Sequence, residues 1–299
     1  MIAVIDVNHS FHKSFFIFSK WNKEIDLTNH KQKGVLMRKV VTDLMASVNK
    51  LYQSPEDVYF CFDSHTWRKN FCKEYKGGRG NKAEGFHEVI NELYDIMTAK
   101  GFKTLKVEGA ESDDCIAFIA NTFPNEKIII SGDEDMHQLL DADVHVWNNN
   151  LQKPIIFTAI NFSERKFLNV SHQNKVVNPK LSIFKKVMLG CTSDEVSPLI
   201  DKKGIGPKTI EKFFNSYPRL MESKNNSFLE EMIKNEFKYS RPDFQNKLSH
   251  NERLVKLDLN FLPPEINSGI TMRLKELSSL EKVTNFSIEG VLSKTKYFL

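Results

Sequence analysis

The chain has 299 residues, 40% of them hydrophobic, with a formal net charge of +4 and four cysteines. This length predicts about two domains with a substantial core, and no apolar stretch approaches the roughly 20 residues needed to span a bilayer. Cys61, Cys72, Cys115 and Cys191 form no CxxC pair, so neither a disulfide framework nor a zinc site is expected. The N-terminus opens directly on "MIAVIDV" with no basic region ahead of it, which reads as a strand in a cytoplasmic protein.

In chain order, a first strand is expected over Ile2 to Val7, with Asp6 near its end, then a helical pattern from Gly34 to Tyr52. A second strand, Val58 to Phe62, runs into Asp63. The following segment, "SHTWRKNFCKEYKGGRGNK", carries Arg68, Lys69, Lys73, Lys76, Arg79 and Lys82 against the single acid Glu74, with Trp67, Phe71 and Tyr75 interleaved. Such alternation of cations and rings is what phosphates and base faces require, although a solvated basic helix with its aromatics on the core reads the same way. A helix over Gly85 to Ala99 and a strand over Phe102 to Val107 lead to "EGAESDDCIA", where Glu111, Asp113 and Asp114 open a helix from Asp113 to Asn121. The apolar run Lys127 to Ser131 ends in "GDEDMHQL", with Asp133 and Asp135, and a further strand covers Val144 to Trp147. This alternation predicts an α/β fold with a mostly parallel sheet flanked by helices.

From about Asn178 the pattern turns helical, beginning with an amphipathic helix over Lys180 to Leu189. Gly204-Ile205-Gly206-Pro207-Lys208-Thr209 reads as a tight turn before a helix, where glycines let backbone amides approach a phosphate and Lys208 adds charge. A turn of this kind grips a nucleic-acid backbone without reading sequence. The expected division is 1–177 for the sheet domain, with a short basic arch at about 64–88, and 178–299 for the helical domain.

The acids are the chemical signal. In open α/β sheets the binding crevice lies beyond the carboxyl ends of the strands, where Asp6, Asp63 and Asp133 all fall. Glu111, Asp113 and Asp114 open a helix that faces the same edge. Any one of these three reads more readily as a helix cap than as a ligand, because the first turn of any helix favours an acid. Together, carboxylates at contact distance repel one another and call for a divalent cation.

The motifs in order resemble the structure-specific 5′-nuclease, or flap endonuclease, family from Asp6 to about Phe214, nearest to the stand-alone phage 5′-3′ exonucleases also called phage ribonuclease H. "ESDD" is similar to that family's Glu-x-Asp-Asp, "SGDEDMHQL" to its Gly-Asp-x-Asp strand end, "WRKNFCKEYKGGRGNKA" to its basic helix and arch, and "KGIGPKT" to its helix-hairpin-helix. The resemblance implies a PIN-like sheet domain with a C-terminal helical domain containing the helix-hairpin-helix. It implies that Asp6, Asp63, Glu111, Asp113, Asp133 and Asp135 hold two Mg²⁺ or Mn²⁺ ions, with Asp133 central to catalysis, and that Asp114 is a helix cap or outlying acid. Lys76 and Arg79 would neutralise charge on the scissile phosphate. Tyr75 would stack on the terminal base, and Arg68 and Lys69 would hold phosphates of the strand. Gly204, Gly206, Lys208 and Thr209 would grip duplex backbone, with K⁺ at the hairpin. The implied substrate is duplex DNA with a 5′ flap or an RNA primer, cut in replication by a monomer away from membranes, in the host cytoplasm if the source is viral. Because the chain ends at Leu299 without a polymerase domain, recruitment in trans by a single-strand-binding protein or clamp is expected.

One departure stands out. The family's Asp-x-x-Asp pair is here Cys191 and Asp194, and a thiol offers a hard cation little. The resemblance therefore implies a second metal site that is weak and relies on Asp194. The connection from Asp194 to Gly204 is a few residues longer than usual. A PIN-type ribonuclease shares the acidic core but normally lacks the hairpin, and a catalytically weakened nucleic-acid-binding protein is the remaining alternative.

Overall fold

The computed structural model describes the chain except residues 23, 79–82, 150–152, 162–164, 218–225 and 298–299. Two compact units emerge, one from residues 1–66, 81–177 and 262–299, the other from 67–80 and 178–261.

The first unit is built on a seven-stranded sheet. β1 (Ile2–Asp6), β2 (Asp57–Cys61), β3 (Lys103–Leu105), β4 (Lys127–Ile130), β5 (Val144–Asn148), β6 (Ile155–Thr158) and β7 (Gln173–Val176) take the order β3-β2-β1-β4-β5-β6-β7. Every neighbouring pair is parallel except β5 and β6. Burial on both faces explains why β1 and β4 read as unbroken apolar runs rather than alternating ones. Helices α1 (Val7–Trp21), α2 (His30–Asn49), α4 (Phe86–Ala99) and α5 (Ser112–Thr122) belong to this unit. Its core joins Ile5, Phe11, Leu36, Val40, Phe60, Leu93 and Ile130 with Val291, Leu292 and Tyr297 from the chain's end.

The sheet's order sets the location of the site. β1 lies between β2 and β4, so the chain leaves it in one direction for β2 and returns on its other side as β4. That reversal is the switch point of a doubly wound sheet, where a crevice opens beyond the strand ends. Asp6 is the last residue of β1.

In the second unit, α3 (Arg68–Phe71) packs with α6 (Pro179–Leu189), α7 (Pro207–Ser216), α8 (Asn226–Phe237) and α9 (Phe244–Val255). Tyr75, Phe184, Leu199, Ile210, Phe213 and Phe244 are central to its separate core.

Two segments divide otherwise than the expected 1–177 and 178–299. Residues 67–80 belong to the helical unit because Tyr75 is buried in its core and Arg68 Nε donates to the Leu254 carbonyl at 3.1 Å. Residues 262–299, with α10 (Pro264–Ser278) and α11 (Ile288–Leu292), belong to the sheet unit. There Lys100 Nζ donates to the Ser293 carbonyl at 2.7 Å, and the Tyr297 hydroxyl donates to Glu92 at 2.8 Å. Among the described residues, no helix is long and apolar enough to cross a membrane.

Candidate functional site

In the sheet unit, strand register brings the acids to one edge. Asp6 pairs with Cys61 and Ile5 with Ile130, so Asp63 and Asp133 each follow a strand that ends level with β1. α5 packs on β1 and β2, which sets Glu111 and Asp113 at that same end.

Each acid there has local work. Asp6 caps α1, accepting the His9 N–H at 2.9 Å, and takes the Ser131 hydroxyl on its other oxygen at 2.9 Å. Asp63 accepts the Ser112 N–H at 2.7 Å, while its own N–H donates to the Asn8 side chain at 2.9 Å. Glu111 and Asp114 form a capping box at the start of α5, in which the Asp114 carboxylate accepts the Glu111 N–H at 3.1 Å. Asp114 is the third-position partner of that capping box, and Glu111 is the cap. Asp133 caps the 3₁₀ turn Glu134–Leu139, accepting the Asp135 N–H at 2.9 Å.

The electrostatics record how near the acids stand. Burial pushes Asp6 up to about 6, and repulsion from Asp63 adds to it against the opposing pull of His9. The buried Cys61 thiol is pushed far above its ordinary range by desolvation, with the fields of Asp6, Asp113 and Asp63 acting in the same direction. An oxygen-only donor set of this kind suits a hard divalent cation. Among the described residues, however, no three His, Cys, Asp or Glu side chains gather about one point closely enough to hold a metal ion. The donor chemistry fits, and an ion there would draw on carboxylates that also serve as helix caps.

Sequence reasoning missed Asn8, Ser112 and Ser131. Ser131 is fully buried and links two acids, donating its hydroxyl to Asp6 while accepting the Asp133 N–H at 3.1 Å. Its signal was a small polar residue closing the run "IIIS" just ahead of "GD".

In the helical unit, the Lys76 N–H donates to the Asp194 carbonyl at 3.1 Å, and Lys76 takes a left-handed backbone with φ of 54°. Its Nζ lies 5.1 Å from the Tyr75 ring centre. Asp194 is itself buried, with the Cys191 thiol donating to its Oδ2 at 3.3 Å and Lys186 Nζ 3.7 Å from the same oxygen.

Two expectations for the basic segment change. Tyr75 is only 4% exposed inside the helical core, so its ring face is not open to a base in this structure. Arg68 is 2% exposed and committed to the Leu254 carbonyl and the Trp67 ring, which makes it a structural arginine rather than a phosphate holder. Lys69 is exposed. Arg79 lies outside the described residues.

A tight turn precedes α7. Gly204 has φ of 90°, the left-handed region that favours glycine, and Thr209 donates its hydroxyl to the Gly204 carbonyl at 3.5 Å. Gly206 caps α7 with an ordinary extended backbone, and a Cβ added there would meet nothing within 4 Å. No internal contact demands a glycine at Gly206, so the bare backbone is open to something outside the chain. Lys208 is exposed beside it.

Comparison with known proteins identifies a family and a fold. A family model described as the 5′-3′ exonuclease, N-terminal resolvase-like domain matches residues 1–167. The chain is similar to a 5′-3′ exonuclease of Mycoplasmopsis pulmonis, 27% identical over 73% of this chain and 67% of that protein. It is also similar to a 5′-3′ exonuclease of Buchnera aphidicola from Schizaphis graminum, 26% identical over 96% of this chain and 97% of that protein. Among solved structures, the fold is similar to the flap endonuclease of bacteriophage T5 with DNA and metal ions, at a TM-score of 0.57 and 16% identity, covering 93% of this chain and 98% of that one.

Proposed function

Because the chain belongs to the 5′-3′ exonuclease family, we propose that it is a metal-dependent 5′-3′ exonuclease and flap endonuclease that hydrolyses phosphodiester bonds near 5′ ends. The observation that carries this reading is the set of carboxylates at the switch point of the sheet, with Asp6 buried among them and pushed up to about 6.

The divalent ions are Mg²⁺ or Mn²⁺ in this proposal, two in number, held by Asp6, Asp63, Glu111, Asp113, Asp133 and Asp135, with Asp194 assigned to a weaker second site. When bound, they supply a nucleophilic water at neutral pH and stabilise the leaving oxygen. The chain's own residues do the rest. Ser131 donates its hydroxyl to the Asp6 carboxylate, and the Asn8 side-chain oxygen accepts the Asp63 backbone N–H, which hold these two strand ends in place. Lys76, whose backbone is anchored at Asp194, contributes a cation for the phosphate. Arg79 shares that role in the proposal. Gly204, Gly206, Lys208 and Thr209 receive duplex phosphates, for which the open space at Gly206 is the support.

The substrate in this proposal is duplex DNA carrying a 5′ flap or an RNA primer. K⁺ at the hairpin and delivery by a single-strand-binding protein or clamp enter it on the family resemblance.

The test is cleavage of a 5′-labelled flap duplex in Mg²⁺ by the native chain and by Asp133→Asn. A ligand change that removes several kcal/mol of transition-state stabilisation lowers the rate on the order of 10²-fold or more. A native chain that leaves every free 5′ end intact refutes the proposal.

A further inference from the structure

Arg253 has rings for neighbours and no acid. The other described arginines are committed: Arg165, Arg241 and Arg273 pair with Glu126, Asp243 and Glu276, while Arg38 and Arg68 donate to the Tyr297 and Leu254 carbonyls. Among the described residues, Arg253 has neither kind of partner. It is exposed near the end of α9, with its Cζ 4.3 Å from the Phe71 ring centre and 5.8 Å from that of Trp67. One turn earlier, His250 lies 5.1 Å from Phe71, ring to ring, tilted by 34°. Phe71 remains 37% exposed.

A guanidinium held over aromatic rings is weakly hydrated, and its planar fork of N–H donors suits phosphate and base edges. Lys69 and Lys73 add exposed cations from the Phe71 segment. Glu74, near Lys73 and His250, is the opposing acid there, since Glu252 is paired with Lys256 at 2.6 Å. The balance on this face is positive.

We propose that Phe71, His250 and Arg253 form a stacking platform for bases of a single-stranded 5′ segment, with Lys69 and Lys73 taking its phosphates. A duplex hides its base faces and is gripped by donors alone, the role proposed above for the Gly204–Gly206 turn. Rings interleaved with uncommitted cations suit unstacked bases instead, which stack on aromatic and guanidinium planes alike. The platform replaces the role expected of Tyr75, whose ring is buried. It rests on the reading of the chain as a nuclease acting at 5′ ends.

The test is fluorescence anisotropy of the full chain in EDTA, with a duplex bearing a single-stranded 5′ arm and the same duplex without the arm. Arg253→Ala is expected to weaken binding of the armed duplex by about 5- to 100-fold, leaving the armless duplex within about twofold. Phe71→Leu, which keeps apolar volume but removes the ring, is expected to lose part of the same arm-dependent affinity. Urea midpoints within error of the native chain confirm that both variants fold. Unchanged affinity of Arg253→Ala for the armed duplex overturns the platform, and so does an equal loss on both duplexes, which would mark a duplex-backbone contact. Those failures are separate from failure of the proposed function, because a native chain that cuts flaps in Mg²⁺ while Arg253→Ala binds normally overturns the platform alone.

Discussion

Replacing Asp6 with asparagine is expected to stabilise the metal-free protein at alkaline pH. Burial, with Asp63 adding to it, raises this carboxyl from its ordinary value of 3.8 to about 6 in the fold. The native state therefore holds its proton more tightly than the unfolded state does, and ionisation works against folding. Stability from this group is complete below about pH 4 and falls as the pH rises through about 6. At about 1.36 kcal/mol per pH unit, the interval from 3.8 to about 6 corresponds to about 3 kcal/mol at pH 8. Asparagine carries no charge to bury, and its side-chain oxygen accepts the His9 N–H as a helix cap about as well as aspartate does.

The assay is thermal unfolding in EDTA at pH 8 and pH 4.5. The Asp6→Asn variant should melt on the order of 5–10 °C above the native chain at pH 8, and the advantage should shrink to about 1 kcal/mol at pH 4.5. Adding Mg²⁺ should raise the native midpoint more than the variant's, because ion binding favours the ionised carboxylate. An advantage equal at the two pH values, or none at pH 8, would falsify the assignment of Asp6 as a buried acid opposed by its neighbours.

Two further substitutions probe the helical unit. Gly190 ends α6 at φ of 71°, and a Cβ there would lie 2.2 Å from the Val196 carbonyl oxygen and 2.8 Å from Pro198 N. Backbone atoms cannot give way as a flexible side chain does, so Gly190→Ala should cost on the order of 3 kcal/mol or more in urea unfolding, and an unchanged midpoint contradicts the geometry. Cys191→Asp sets a second carboxylate beside the buried Asp194, where Lys186 Nζ at 3.7 Å is the cation at hand. It should lower stability in EDTA by about 1–2 kcal/mol and increase the rise in melting temperature caused by Mg²⁺; an Mg²⁺-induced shift equal to the native one removes the case for a thiol-weakened second site.

The parts of the fold that were legible are those where burial follows a simple period. β1 and β4 are buried along their whole length and announce themselves as apolar runs ending at acids. α1 was illegible because its faces are chemically mixed: Ser10 and Ser14 are buried while Phe16 and Trp21 stand exposed. The Ser14 hydroxyl is accommodated by donating to Asp43 on α2 at 2.7 Å. β7, with the sequence "QNKV", is mostly exposed at the sheet edge and carries no apolar period. Tyr75 and Arg68 were misjudged for one reason. A basic aromatic segment reads the same whether its rings face solvent or a second core, and only the packing of 67–80 on the helical unit distinguishes the two.

Reading the acids as either caps or ligands set up a choice the fold does not make. Asp6 caps α1, Glu111 caps α5, Asp133 caps the 3₁₀ turn after β4, and Asp63 accepts the first N–H of α5. Four carboxylates thus meet the N-terminal N–H groups of three helical segments, where partial positive charge favours an anion. That arrangement offsets part of their mutual repulsion without an ion. A carboxylate that caps with one oxygen keeps a second oxygen with lone pairs of its own. The local reasons for placing acids at helix starts and the chemical reason for gathering them at a switch point therefore select the same residues, and the residual strain, concentrated at Asp6, is what a divalent ion would relieve.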